Sequence, residues 1–340
     1  MVTIYDIARK AGVSPATVSK ALNGRQDVND VTRAHVIASA TELGYVPNAH
    51  ARGLKMKKSW LVGVAYSDGG VSMPLDHPLF LPLLDSFKRI MEAEGYELLF
   101  FSDTSSLIGN NMVAHCFSRQ VDGVLLVKLL DIEQNALRTA AQDIPMVSCN
   151  LLIDGIPAVI TDNFRAAYQA VEYLYSLGHR RIAHVAGPLD SLAVAGPERL
   201  AGYRAALADL HLESDASDFV ESKGWAPDDG AEAFLQLLDR KDRLFTAVFF
   251  ASDAMMMGAM PVMERLGLSC PDDLSLIGFD GAQWTEYVGG GYTTFRQQAE
   301  LLGVSCARSL LRQLDGDEVE PIVRIPAELV ARHSCCQIIV

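Results

Sequence analysis

A chain of 340 residues is long enough for two or three domains, and 49% hydrophobic against 21% charged residues excludes a disordered chain. No apolar run reaches the roughly 18 residues of a membrane span. The start Met1-Val2-Thr3-Ile4-Tyr5-Asp6 lacks the order of a signal peptide, so a cytoplasmic protein with no membrane partner is expected. The formal charge of −13 is unevenly divided, because residues 1–58 hold nine Lys/Arg against four Asp/Glu and the rest is strongly acidic. A small basic module on an acidic body suits phosphate contact at one end only.

Thr3 predicts a helix cap, with Asp6 returning the bond, for a helix from Ile4 to Ala11 that Gly12 ends. Ile4, Ile7, Ala8 and Ala11 share its inner face. Ser14-Pro15 opens a second helix to about Asn23, with Val18, Ala21 and Leu22 inward and Ala16, Thr17 and Lys20 outward together. Asn29 caps a third to Leu43, with Val36, Ile37, Ala40 and Leu43 inward. Two helices joined by so short a turn form a helix-turn-helix, whose second helix fits the major groove of DNA. The competing reading is a plain bundle with Lys20, Arg25 and Arg33 as a solvated face. Residues 45–58 favour DNA. Their helical stretch is scarcely two turns long and contains Gly53, which makes it marginal alone in water. Leu54 has no core there to join, and leucine is a known wedge between base pairs in the minor groove.

From about residue 60, apolar strands alternate with amphipathic helices, the pattern of a parallel α/β sheet. Strands are read at 61–66, 96–101, 124–127 and 145–149, and the rhythm restarts after Val159-Ile160-Thr161 with strands at 181–186, 218–222, 247–251 and 275–279. A helix over 297–314 and strands near 321–330 finish the chain. Two successive open units give two lobes, with ligand expected at the carboxyl ends of the strands, in the cleft between them. Asp162, Asp253 and Asp280 follow strands and suit sugar hydroxyls, the alternative for Asp162 and Asp253 being that they merely cap the following helices. Phe80 and Lys128 are the first-lobe candidates. No Walker A, HExxH, GxSxG or GxGxxG motif stands at a strand-to-helix turn, and eight histidines and six cysteines lack ligand spacing. No catalysis, metal or cofactor is expected, and the cysteines read as reduced thiols.

The words Thr3-Ile4-Tyr5-Asp6-Ile7-Ala8, Gly12-Val13-Ser14-Pro15-Ala16-Thr17-Val18-Ser19-Lys20-Ala21-Leu22-Asn23 and Leu43-Gly44-Tyr45-Val46-Pro47-Asn48 resemble the lactose/galactose-repressor family of bacterial regulators, and the resemblance continues along the chain. It implies a headpiece over 1–46, a hinge helix and linker over 47–59, and a two-lobed core like a periplasmic binding protein over 60–340. The first lobe would take about 60–160 and 292–321, the second about 161–291 and 322–340, with crossovers near 159–162, 281–292 and 319–324. Base readout would fall to Pro15, Ala16 and Lys20. Thr3, Ser14, Thr17, Ser19, Asn23, Asn29 and Tyr45 would position the headpiece on the backbone. Asn48, Ala51, Leu54 and Lys55 would belong to the hinge, with Ala51 and Leu54 at the minor groove.

The same resemblance implies effector contact by Arg199, Trp225 and Asp280, a core tryptophan being the alternative at Trp225. It implies a repressor that binds a near-palindromic operator as a homodimer under control of a small effector, most simply a sugar. A purine co-repressor is the second reading. A plain solute-binding protein would need a signal peptide and no headpiece. Three departures from the family pattern stand out: Lys20 for a more frequent arginine, Ser252-Asp253 for Asn-Asp, and Arg165-Ala166-Ala167 after Asp162-Asn163-Phe164. Arg165 is expected near the cleft rim, which keeps an acidic or phosphorylated ligand open.

Overall fold

The computed structural model describes residues 2–22, 27–45, 58–66, 77–102, 112–127, 134–189, 193–212, 218–239 and 245–338. The chain divides into two compact units, Met1–Ser59 and Trp60–Val340.

The first unit is a bundle of α1 (Ile4–Ala11), α2 (Pro15–Leu22) and α3 (Asp30–Glu42). Its ends follow the capping chemistry of the sequence. The Thr3 backbone N–H and hydroxyl both donate to Asp6 Oδ2, at 2.9 and 2.8 Å. Gly12 closes α1 in the left-handed region at φ 64°. The Thr17 N–H donates to Ser14 Oγ at 3.0 Å, and the Thr32 N–H to Asn29 Oδ1 at 2.7 Å. Ile7, Ala8, Ala11, Val18, Ala21, Val28, Val36 and Ala40 are buried together. Ile37, expected inward, is instead 47% exposed; its place in the layer is taken by Ser39, which is buried beside Ala40.

The second unit holds two six-stranded sheets. The first lobe contains β1 (Leu61–Tyr66), α4 (Phe80–Ala93), β2 (Glu97–Ser102), α5 (Met112–Arg119), β3 (Gly123–Val127), α6 (Gln134–Ala140), β4 (Met146–Cys149) and β5 (Ala158–Thr161). The second contains α7 (Asn163–Ser176), β6 (Ile182–Ala186), α8 (Ala195–Asp209), β7 (Phe219–Glu221), α9 (Pro227–Leu238), β8 (Ala247–Phe250), α10 (Asp253–Leu266), β9 (Ser275–Asp280), α11 (Trp284–Tyr287) and β10 (Thr293–Arg296). Then α12 (Ala299–Leu314) and β11 (Ile322–Ile325) return to the first lobe, and β12 (Glu328–Val330) to the second.

Strand order is β11-β5-β4-β3-β1-β2 in one sheet and β12-β10-β9-β8-β6-β7 in the other, parallel except where β12 pairs antiparallel with β10. In each sheet the order reverses between the first and third of its strands, β1/β3 and β6/β8, and open α/β sheets bind ligands at such switch points. The strands read as continuous apolar runs because both faces are covered; β3, β4, β6, β8 and β9 are buried throughout.

The crossovers differ from the sequence expectation. The chain passes between lobes at 161–163, 296–299 and 325–328, so residues 292–296 belong to the second sheet and 322–325 to the first. The apolar stretch 321–330 reads as one region, but Pro326 has no N–H to continue a ladder and splits it between two sheets.

Candidate functional site

Two surfaces qualify, one on each unit. On the bundle, Ala16 and Lys20 are exposed on the outer face of α2, with Pro15, Thr17 and Ser19 half-buried beside them. Thr3, Ser14 and Asn29 stand at the starts of the three helices, where backbone N–H groups point outward and favour phosphate. Tyr45 packs partly against the bundle core. Lys20 Nζ lies 2.5 Å from Asp27 Oδ2, an ion pair between two half-exposed side chains. Asn23, Asn48, Ala51, Leu54, Lys55 and Lys128 lie outside the described residues.

In the core, the strand ends of the second lobe bring Arg199, Asp253, Asp280 and Trp225 together. Arg199 enters from the first turn of α8 and is 3% exposed. Its Nε donates to Asn163 Oδ1 at 2.9 Å, and its Nη1 donates to the Ala251 carbonyl. The guanidinium carbon sits 3.5 Å from the Phe279 ring centroid and 5.8 Å from that of Trp225. Burial lowers its pKa to about 10 against the opposing pull of Asp280 and Asp253, so it stays charged at neutral pH.

Asp280 ends β9 with φ 121°, a conformation L-residues rarely adopt. Its Oδ1 accepts from Gln297 Nε2 at 2.8 Å, and its Oδ2 lies 3.6 Å from His77 Nε2 of the first lobe. Gln297 Oε1 in turn accepts from the Thr161 hydroxyl at 2.5 Å. The His77 and Phe80 rings are 5.4 Å apart, which places half-buried Phe80 on the first-lobe side of the same region. The half-buried indole of Trp225 lies against the backbone just past β6; a Cβ on Gly187 would come within 2.2 Å of it.

The carboxylates do not all serve alike. Ser252 caps α10, accepting from the Met255 N–H at 3.1 Å, so Asp253 is not a cap. Asp253 is instead fully buried, with its oxygens taken by the Ala282 N–H at 2.7 Å and the Thr294 hydroxyl at 2.8 Å. Burial, with Asp280 adding to it, pushes its pKa well above the carboxylate range. Gly278 makes room for this brace, since a Cβ there would meet Asp253 Oδ1 at 2.1 Å. Asp162 is the cap of α7, accepting from the Arg165 N–H at 3.2 Å, and it also lies 4.0 Å from Arg324. Asp280 thus joins side chains of both lobes through Gln297 and His77, while Asp162 and Asp253 are engaged in holding the fold.

Arg165 does not reach the cleft. Its guanidinium lies over the Tyr168 ring at 5.3 Å and 4.0 Å from Glu172, back along the exposed side of α7. Asn163, Gln297 and Thr161 are hydrogen-bonded into this cluster, and sequence reasoning did not single them out. The signal for Asn163 and Thr161 was their place at a crossover; that for Gln297 was hidden by the misplaced second crossover. Among the described residues no group of three or more His, Cys, Asp or Glu could hold a metal ion, and no helix is long and apolar enough to cross a membrane.

Comparison with known proteins agrees with this division. Residues 3–48 match the model for bacterial regulatory proteins of the lacI family, and residues 171–335 that for a periplasmic binding protein-like domain. The chain is 31% identical to the HTH-type transcriptional regulator CelR of Thermobifida fusca, covering 98% of each chain. It is 32% identical to catabolite control protein A of Priestia megaterium, covering 98% of this chain and 99% of the relative. In three dimensions it resembles a lac repressor dimer bound to operator and the anti-inducer ONPF, with TM-score 0.84 and 29% identity over 98% and 99% of the two chains. A CelR–cellobiose complex matches with TM-score 0.72 and 29% identity, over 98% of this chain and 100% of that one. The chain belongs to the lacI family of bacterial transcriptional regulators.

Proposed function

We propose that the protein is a cytoplasmic repressor that binds a near-palindromic operator as a homodimer and adjusts its grip when a sugar enters the cleft of its core. The observation that carries this is one chain joining an exposed Ala16/Lys20 reading face to a cluster of Arg199, Asp280 and Trp225 at the strand ends of its core. The supporting likenesses are a lac repressor bound to operator and a CelR bound to cellobiose, each matched over 98% of this chain.

The chemistry suits a polyol. A carboxylate with one oxygen anchored by Gln297 can accept from ring hydroxyls, a buried guanidinium donates to them, and an indole covers an apolar sugar face. In this reading Phe80 closes the first-lobe side, while Asp162 and Asp253 keep the second lobe in shape. Arg165, turned back along α7 toward Tyr168 and Glu172, is not placed to select a phosphorylated ligand.

On DNA, Lys20 with Pro15 and Ala16 would read bases in the major groove, and Leu54 would wedge the minor groove between two half-sites. Lysine is a point charge, so Lys20 would tolerate more than one acceptor where a bidentate arginine would demand guanine. Selection of bound duplexes from random DNA, repeated with a sugar panel, tests the proposal. A recurrent near-palindrome whose recovery changes with one sugar is expected; no enriched sequence under any condition would refute it. A thermal shift given by purines alone would replace the sugar with a co-repressor, the second reading favoured by 31% identity over 341 residues to the purine repressor PurR of Klebsiella pneumoniae.

A further inference from the structure

The described bundle neutralises itself. Its four Lys/Arg are each matched by one of its four Asp/Glu: Arg9 with Asp6 at 3.8 Å, Lys10 with Glu42, Lys20 with Asp27 at 2.5 Å, and Arg33 with Asp30 at 3.1 Å. Three of these pairs sit away from the reading residues and need no explanation beyond surface electrostatics. The fourth does not. Lys20 is the one cation among the described residues on the outward face of α2, and Asp27 holds its ammonium.

An anion at that place has a definite cost. DNA presents a dense row of phosphates, and non-cognate binding consists almost wholly of cations displacing the counterions around it. With Asp27 beside it, Lys20 contributes little to that generic attraction. A base edge directly in front of Lys20 can still compete. An exposed ion pair is worth only ~0–1 kcal/mol, and a well-placed base acceptor offers more than that. The pair therefore weakens wrong complexes more than right ones, and specificity is a difference of that kind.

We propose that Asp27 is a specificity-determining residue of the operator interface: by holding Lys20 it suppresses binding to non-cognate DNA and leaves the ammonium to a correctly placed acceptor. This rests on the DNA-binding reading above. Asp27 acts through Lys20, so its effect must vanish when Lys20 is gone.

The test uses the full-length protein and two duplexes, one selected from random DNA and one scrambled, with affinity measured across a range of salt. Asp27→Asn is expected to raise affinity for the scrambled duplex about 2- to 5-fold, in keeping with one exposed charge. It should steepen the dependence of log K on log salt by about one unit, the mark of one more phosphate contact. Affinity for the selected duplex should change less, so the specificity ratio falls. Asp27→Glu should restore the wild-type ratio. In a Lys20→Met background Asp27→Asn should leave the slope almost unchanged. An unaltered slope and ratio in Asp27→Asn, with the selected duplex still bound, would overturn the proposal alone. Failure of the wild-type chain to prefer any duplex would overturn the reading beneath it as well. Retained thermal unfolding of the variants separates either result from misfolding.

Discussion

The three-helix unit and the second lobe of the core put their chemistry in opposite places. Among its described residues the bundle's core cluster is eight aliphatic side chains, half of them alanine, with Ser39 buried beside them and its charged groups outside. The second lobe buries aromatic and methionine side chains, and with them Arg199, Asp253, Asp280 and His184. A surface built to meet DNA can leave its charges hydrated, where each is worth little and can be redirected. A site that closes around a small ligand must desolvate its charges first, and then each depends on the others. The bundle should therefore tolerate changes in its working residues but not in its core, and the second lobe the reverse.

The largest expected effect follows from the buried charges. Arg199→Ala leaves Asp280 without its cation and frees the buried Asn163 amide and Ala251 carbonyl. A loss of about 3–5 kcal/mol is expected in denaturant unfolding of the core, together with loss of any sugar-induced thermal shift. Unchanged stability would mean that the guanidinium is not the keystone of the site.

The bundle core comes next. Ile7 is fully buried, and Ile7→Ala should remove about 2–4 kcal/mol from so small a unit. Operator binding should disappear while the core keeps its unfolding transition and sugar response. A simultaneous loss of both would show that the two units do not fold independently.

A pH-dependent effect, small near neutrality, separates the units further. His184 is fully buried between the Tyr203 and Phe249 rings, and burial, followed by the nearby arginines, holds its pKa down at about 3 instead of the ordinary 6.5. Above pH 6.5 the ring is neutral in both folded and unfolded chains and contributes no pH dependence. As pH falls below 6.5 the unfolded chain takes up a proton that the folded one refuses. Stability of the core should drop by up to about 1.4 kcal/mol per pH unit down to about pH 3 from this group. His184→Phe should flatten that slope in pH-dependent unfolding, and an unchanged slope would place the proton elsewhere.

Smallest of all are the caps. Asn29→Ala on α3 and Ser252→Ala on α10 each remove one side-chain acceptor and should cost about 1 kcal/mol. Equal costs with unequal consequences, DNA affinity lost in the first and sugar affinity retained in the second, are expected from binding assays on the pair.

Much of this architecture was legible beforehand, for physical reasons that differ by region. Ser14 and Asn29 announced helix starts because a side-chain acceptor there satisfies a backbone N–H the helix leaves open, and Thr3 did so through its pairing with Asp6. The buried strands announced themselves as apolar runs, although a run says nothing about which sheet receives it. That is why β10 was expected in the first lobe and β11 in the second. Asp280 stood out because charge at a strand end needs a reason, and Arg199 only through the family resemblance. Gln297 did not, since a lone amide carries no signature until Asp280 and Thr161 are seen on either side of it. Asp162, Asp253 and Arg165 show the limit: residue type suggested ligands, and only the partners revealed a cap, a brace and a surface cation.

The account stands or falls on the two units sharing one free energy. The direct measurement is the affinity of the selected duplex with and without a sugar that raises the melting temperature, paired with that sugar's affinity with and without the duplex. Linkage predicts the same factor in both directions, about 5- to 150-fold for ordinary coupling. A sugar that binds tightly and leaves duplex affinity untouched would contradict it.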